Sequence, residues 1–306
     1  MMVLDDLKDQ IPLREISRIS GISLSGYYYR PRKRHVQRLD PSTRERIKDI
    51  ASERPTYGYR RVWAILRNQG TKVNQKTVRK VLKDSNLSLP ASKHRGRTKT
   101  RNLYKPNGPD QLWETDITYI PTESGMTYLM CIKDCFTKEW QGFHYSMSCM
   151  ARDAIRSVEN AVLMAFNGSV PKGLVLRTDN GPQYISHEFR SAMKLLGIKL
   201  EYIQKHTPED NGDIESFHNS IKTDYIWPNE FRDFHEAPVE IGRAFSDYNE
   251  CRPHSSIDYL PPRDFRSKFL NDQTFRERFE KKEVEVTLDE NCGKVFQILV
   301  EQIIPV

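Results

Sequence analysis

Up to about residue 89 the apolar positions of this chain recur at three- and four-residue steps, the period of helices that bury one face. Ile16, Ile19, Ile22 and Leu24 fall on two short segments around Gly21, which predicts two helices joined by a turn. Ser42 and Glu45 fit a capping box that opens a helix with Ile47, Ile50 and Ala51 inward. Val62, Ile65 and Leu66 mark another helix, stopped at Gly70, and a third, capped by Asn74, buries Val78, Val81 and Leu82. The period then disappears: residues 90–110, rich in Lys, Arg, Gly and Pro, read as a linker. Beyond it the pattern predicts strands over 112–120, 126–134 and 138–146, a helix over 151–166, a strand over 173–178, a helix over 186–196, a strand over 198–203, and helices near 211–226 and 236–250. Three strands in succession, then alternating helices and strands, describe an α/β layer whose mixed sheet can place the first and fourth strands side by side. The stretch 271–306 reads as a terminal helix and hairpin.

Composition narrows the function. At 306 residues there is room for two or three domains, and 29% of residues are charged. No apolar run approaches the roughly 20 residues of a spanning helix, and the N-terminus carries no apolar signal segment, so a cytoplasmic protein with no membrane partner is expected. Five cysteines, odd in number and without CxxC spacing, suggest neither a disulfide framework nor a zinc site. The net charge of +7 hides an asymmetry: residues 1–110 hold 26 Lys/Arg against 10 Asp/Glu, a net of +16, and the remainder 22 against 31, a net of −9. Such polarity points to a polyanion on the N-terminal half. The candidate contacts are Lys76, Arg79 and Lys80 on the third helix, Arg60 and Arg61 at the start of the second, and Arg30 ahead of the basic run "RPRKRHVQR". The plainer reading of these residues is a solvated basic surface.

The acidic half contains three carboxylates in distinct local settings. Asp116 lies in the strand pattern "QLWETDITYI", where Asp is disfavoured. Asp179 follows the apolar run "LVLR" and precedes the turn signal "NG". Glu215 falls on a helix with Ile214, Phe217, Ile221 and Tyr225 inward, and Asn219 and Lys222 project from nearly the same side as Glu215. Each has an ordinary reading alone: a capping or paired acid, a turn former, a solvated face residue. Together, a strand acid, a strand-end acid and a helix acid that converge can seat two divalent cations roughly 3.5–4 Å apart against a phosphodiester. Hard oxygen ligands favour two Mg²⁺ ions, with Mn²⁺ as a substitute. Asp134, at a strand end, is the competing acid, and His206 in "KHTPEDNG" is either a phosphate contact or incidental.

The motifs "LWETDITYI", "IKDCFTKEWQGF", "LRTDNGPQY", "TPEDNGDIESFHNSIK" and "YNECRPHSSIDYLPPRDF", in this order and spacing, resemble the insertion-sequence transposases of the retroviral-integrase-like DDE superfamily, specifically the downstream-frame product of two-frame elements. The likeness runs to about Phe265. It implies an RNase H-like α/β catalytic core behind N-terminal all-α helix-turn-helix units, with boundaries expected at 1–38, 39–89, 90–110, 111–270 and 271–306. It implies that Asp116, Asp179 and Glu215 are catalytic and hold the metal, that Lys222 contacts the donor DNA end, and that Asp134 is structural. Tyr248, Asn249, Arg252 and His254 either brace the catalytic helix or touch DNA. The activity implied is binding of the element's terminal repeats, strand cleavage and strand transfer into target DNA. Self-association into a dimer or larger synaptic complex and an upstream-frame partner protein go with it, in the cytoplasm beside the nucleoid. The alternatives are a non-catalytic DNA-binding regulator or partial subunit, and an RNase H-like nuclease.

Overall fold

The structure, a computed structural model, describes residues 11–21, 23, 39–90, 104–203 and 212–280. Arg30, most of the basic linker, the loop with His206 and the terminal hairpin lie outside the described residues. The chain divides into two compact units, residues 1–44 and 45–306. In the first, helix α1 (Leu13–Ser20) buries Ile16 and is closed by Gly21 at φ 67°, a left-handed conformation that a side chain would strain.

Helix α2 (Pro41–Glu53) does not use the expected capping box. Asp40 caps it instead: its carboxylate accepts from the Ser42 hydroxyl and, at 3.1 Å, from the Thr43 N–H. Pro41, with its fixed φ and missing N–H, suits the first helical position, which moves the start two residues earlier than Ser42 implied. Helices α3 (Tyr59–Asn68) and α4 (Gln75–Asp84) follow. The Asn74 side chain accepts from the Lys76 N–H at 2.8 Å, as expected of a cap. Val62, Ala64, Leu66, Val78, Val81 and Leu82 close a small core between these helices, and Ile65, expected inward, is only half-buried because Ala64 takes its place.

Behind them stands a five-stranded mixed sheet: β1 (Leu112–Thr122), β2 (Gly125–Asp134), β3 (Trp140–Ser146), β4 (Val175–Thr178) and β5 (Lys199–Tyr202), in the order β3-β2-β1-β4-β5. β1, β2 and β3 run antiparallel, and β4 joins β1 in parallel, so the first and fourth strands are neighbours. Alternation along the strands feeds two cores. On one face Ile120, Leu129, Cys131 and Trp140 pack under α8 (Gly212–Ile221) and α9 (Ala237–Glu250); on the other Trp113, Ile132 and Leu176 pack under α5 (Ala151–Phe166) and α7 (His187–Leu195). A Cβ on Gly142 would stand 2.6 Å from the Ala161 Cα, so α5 rests directly on β3. Each fully buried aromatic in these cores, such as Trp140, Phe189 or Phe217, contributes about 1.5–3 kcal/mol from area removed from water.

Two helices differ in detail from the sequence pattern. The helix expected over 186–196 is α7, capped by Ser186, which accepts from the Phe189 N–H at 3.1 Å, and an additional single turn, α6 (Pro182–Ile185), precedes it. The helix expected to run to 226 changes winding at Lys222: residues Lys222–Ile226 form a π-turn, a feature frequent at functional sites. Helices α10 (Pro262–Asn271) and α11 (Gln273–Glu277) close the described chain over a cluster of Phe265, Phe269 and Phe275.

Candidate active site and nucleic-acid interface

Register sets two of the three acids, Asp116 and Asp179, side by side, whereas the one group of three potential ligand atoms within 4.8 Å of one another among the described residues is Glu114, Cys135 and Asp213. Glu114 on β1 lies opposite Arg177 on β4, and two residues further along both strands stand Asp116 and Asp179. Asp179 sits one residue past the end of β4, where its Oδ1 accepts the Gly181 N–H at 2.9 Å. From the other side, His218 of α8 places its Nδ1 3.5 Å from Asp116 Oδ2. Glu215 precedes His218 by three residues, on the same helix face. Glu215 thus lies about one helical turn from the residue that touches Asp116.

These carboxylates have little local compensation. Asp116 Oδ1 accepts only the adjacent Ile117 N–H at 2.8 Å, and the exposed Glu215 makes no side-chain hydrogen bond or ion pair among the described residues. No Lys or Arg among the described residues pairs with any of the three. The Asp179 carboxyl is held above its ordinary range, first by burial and then by the Asp116 charge, against the lowering effect of the Gly181 N–H. Half-buried carboxylates of like charge such as Asp116 and Asp179 have the hard-oxygen donor chemistry that suits a divalent cation.

The competing acid is built differently. Asp134 is fully buried; Oδ2 accepts the Asp110 N–H at 2.8 Å, and Oδ1 accepts the Phe136 N–H at 2.9 Å and the Thr137 N–H and hydroxyl at 2.5 and 2.9 Å. Burial pushes its pKa up to about 6 although those donors oppose the shift. It ties β2 to the turn that follows, a structural role. A second set of potential ligands, Glu114, Cys135 and Asp213, is already filled: the Lys133 Nζ stands 3.1 Å from Asp213 and 3.8 Å from Glu114.

Of the expected closing-motif residues, three brace the Glu215 helix and its sheet. Asn249 is fully buried and pairs with both backbone groups of Trp140, at 2.9 Å each. Tyr248 packs edge-on against Phe217, centroids 5.0 Å apart. The Arg252 Nε bonds Asp224 Oδ2 at 2.8 Å inside the π-turn after Lys222. His254 caps the short 3₁₀ turn Ser255–Ile257. Sequence reasoning missed His218, whose signal was its three-residue spacing from Glu215. It also missed two half-buried pairs that seat the helical segment on the core: Thr56 with Asp224 at 2.7 Å, and Arg54 with Asp247 at 2.6 Å, where the Tyr225 hydroxyl also bonds. Nothing local marks these, because their partners lie more than 160 residues away.

The basic candidates separate into two groups. Lys76, Arg79 and Lys80 are exposed along α4, and Arg60 is exposed on α3; the Arg60 and Arg79 guanidinium groups both lie 5.6 Å from the Tyr59 ring, joining the two helices into one cationic, aromatic surface. Arg61, expected with them, turns inward instead, over Tyr57 at 5.3 Å, where burial and then the Arg252 charge lower its pKa. Adjacent positions on a helix lie about 100° apart, so Arg60 and Arg61 cannot share a face. Lys222 is half-buried and Asn219 exposed on the last turns of the Glu215 helix.

Comparison with known proteins agrees with this architecture. Residues 106–208 and 196–262 match the integrase core domain, and residues 40–95 match an HTH-like domain. The transposase for insertion sequence element IS904 of Lactococcus lactis is 32% identical over 251 residues, 77% of this chain and 97% of the relative. The transposase InsD for insertion element IS2A/D/F/H/I/K of Escherichia coli is 31% identical over 253 residues, 76% of this chain and 80% of the relative. Among solved structures, a simian T-cell lymphotropic virus intasome in complex with PP2A regulatory subunit B56 gamma matches at 18% identity and a TM-score of 0.47, over 63% of this chain and 67% of that one. The HTLV-2 integrase catalytic core domain in complex with magnesium matches at 20% and 0.37, over 52% and 97%. No described helix is long and apolar enough to cross a membrane. With the RNase H-like sheet, the helix-turn-helix segment and these relatives together, the chain belongs to the insertion-sequence transposases with an integrase-type DDE core, DNA transposases that act as polynucleotidyl transferases.

Proposed function

We propose that Asp116, Asp179 and Glu215 are the catalytic acids and together hold two Mg²⁺ ions, which Mn²⁺ can replace. The observation that supports this assignment is the pairing of the strands that carry Asp116 and Asp179, neither with a Lys or Arg partner among the described residues, and the His218 contact that ties the Glu215 helix to Asp116. When bound, the ions activate an attacking oxygen and stabilise the leaving oxygen of a phosphodiester. The chain's own residues supply the rest. Asp116 and Asp179 fix one edge of the cleft from the sheet; Glu215 closes it from α8; Lys222 and Asn219, further along that helix, hold the phosphate backbone of the element's end. Arg60, Lys76, Arg79 and Lys80 bind the terminal repeat through its phosphates, with Tyr59 stacked between two of them. Arg61 and Arg30 belong to the same proposal with less support, since one faces inward and the other is outside the described residues. Cleaving and joining two ends requires a dimer or larger complex of this chain on element and target DNA, and an upstream-frame partner is the further component proposed.

The test is Glu215→Gln. It should reduce Mg²⁺-dependent cleavage and joining of a terminal-repeat duplex by at least about 10³-fold and leave affinity for that duplex unchanged. Wild-type protein that binds ends and never cuts them would make the chain a regulator, and cleavage of RNA in a hybrid without DNA joining would make it a nuclease.

A further inference from the structure

One rung of the sheet below the three acids is built from alternating charge. Lys133 on β2 faces Glu114 on β1, Glu114 faces Arg177 on β4, and Arg177 faces Glu201 on β5, all direct cross-strand partners. The side chains follow the register: Lys133 Nζ to Glu114 Oε2 is 3.8 Å, Arg177 Nη1 to Glu114 Oε1 is 3.1 Å, and Arg177 Nε to Glu201 Oε2 is 2.7 Å. Lys133 then leaves the sheet: its Nζ is 3.1 Å from Asp213 Oδ2 on the first turn of α8 and 5.8 Å from the Phe217 ring one turn on. Lys133, Glu114 and Arg177 are 1%, 3% and 6% exposed, so the rung is out of water.

The position of this rung is what gives it meaning. Glu114 precedes Asp116 by two residues, Arg177 precedes Asp179 by two, and Asp213 precedes Glu215 by two. On a strand a step of two returns to the same face, so the rung lies directly beneath the two sheet acids. Asp213 is held a second time, by Lys138 at 2.7 Å. Burial works against the Lys133 ammonium, yet the Asp213 and Glu114 carboxylates outweigh it and keep the lysine charged, above its usual range. A buried cation of this kind is a poor source of net stability, because desolvation consumes most of the attraction, and it is strongly directional. Replacing the three side chains by apolar ones would fill the same space without fixing where α8 begins.

We infer that Lys133 is a positioning residue: through Glu114 and Asp213 it sets the distance between the strand that carries Asp116 and the helix that carries Glu215, and so sets the size of the cleft for a divalent cation. The inference rests on the reading that those acids hold the metal. Lys133 does not touch the cation, the DNA or any reacting atom.

The test is divalent-cation affinity, read by Mn²⁺ titration with calorimetry on the full chain without DNA, so that it does not depend on turnover. Lys133→Met keeps the length and removes the charge; Asp213→Asn cuts the helix from the rung and leaves the sheet intact, which serves if the first variant does not fold. Each folded variant should bind Mn²⁺ about 10-fold more weakly or worse, the usual effect of disturbing what supports the ligands, with affinity for a terminal-repeat duplex unchanged. Lys133→Arg, which keeps the charge, should recover more of the affinity than Lys133→Met. Wild-type Mn²⁺ affinity in folded Lys133→Met or Asp213→Asn would overturn the inference. Glu215→Gln is the control: if it too binds Mn²⁺ like wild type, the metal assignment itself fails, and the two failures are distinguished.

Discussion

Two neighbouring rungs on one face of this sheet use the same kinds of side chain to opposite ends. In the lower, every buried carboxylate meets an Arg or Lys: Glu114 lies between Arg177 and Lys133, and Glu201 faces Arg177. Two residues higher, Asp116 and Asp179 stand side by side with no Arg or Lys paired to either among the described residues, and Glu215, proposed to join them, is exposed on α8. Charge is tolerated inside a protein when it is matched and hydrogen-bonded, and an unmatched group is held at the edge, where solvent or an ion can reach it. The charges of the lower rung are thus matched within the chain, although Glu114 Oε2 has only the Lys133 charge at 3.8 Å and no hydrogen bond, whereas the upper rung has no Lys or Arg to match it among the described residues.

The largest effect that tests this contrast is loss of the central cation. Arg177→Met leaves Glu114 with only the more distant Lys133 and Glu201 with no partner in the rung, and breaking a buried pair from one side costs about 3–5 kcal/mol. A drop of that size in unfolding free energy, measured as a lower urea midpoint at unchanged slope, is expected. A loss below about 1 kcal/mol would mean that the lower rung is no better matched than the upper and would end the comparison.

The sequence made the upper rung far easier to read than the lower. Asp116, Asp179 and Glu215 are each conspicuous where they stand, an acid in a strand, at a strand end and on an amphipathic helix, and the strand periods placed β1 to β5 to within a few residues. Their adjacency followed once β1 and β4 were expected as neighbours. The lower rung is a matter of cross-strand register: that Lys133 opposes Glu114 depends on the length of the β1–β2 turn, and that Arg177 opposes Glu114 depends on the roughly 50 residues between β1 and β4. Neither leaves a local trace. Lys133 in the apolar run "YLMCIKD" has no sequence partner at all, and its meaning comes from Asp213, 80 residues later. The misplaced start of α2 has the opposite cause: two capping signals overlap, and Asp40 with Pro41 prevails over Ser42 with Glu45.

A smaller effect sharpens the contrast through pH. His254 lies near the cationic end of the lower rung; burial first, then Lys138, Arg252 and Lys133, depress its imidazole to about 3. An unfolded imidazole takes up its proton near pH 6.5, which the folded protein refuses. Stability from this group is therefore complete above pH 6.5 and is lost as the pH falls toward 3, by roughly 2 kcal/mol at pH 5. His254→Gln should flatten that part of the profile when urea unfolding is compared at pH 7 and pH 5. An unchanged slope would show that neither burial nor the Lys138, Arg252 and Lys133 charges keep this imidazole neutral in the fold.

The smallest effect concerns the upper rung itself. If Asp116 and Asp179 are held together for a cation, then with a chelator present their mutual repulsion and the partial burial of Asp179 work against the fold, and one of them is better absent. Asp179→Asn keeps the side-chain shape and can still accept the Gly181 N–H through its amide oxygen, so what changes is mainly charge. In chelator at low salt the variant should be more stable than wild type by about 0.5–1 kcal/mol, the usual gain when a functional constraint is relaxed. The gain should shrink as salt screens the repulsion. Added Mn²⁺ should reverse the ranking, because the wild type gains free energy from binding and the variant does not. Asp134 sets the opposite standard, since its two oxygens accept four donors from the chain and an amide in its place would turn an N–H toward another N–H. An Asp179→Asn protein destabilised in chelator by more than about 1 kcal/mol would place Asp179 with Asp134 among the acids the fold needs for itself, and the upper rung would then be another part of the scaffold.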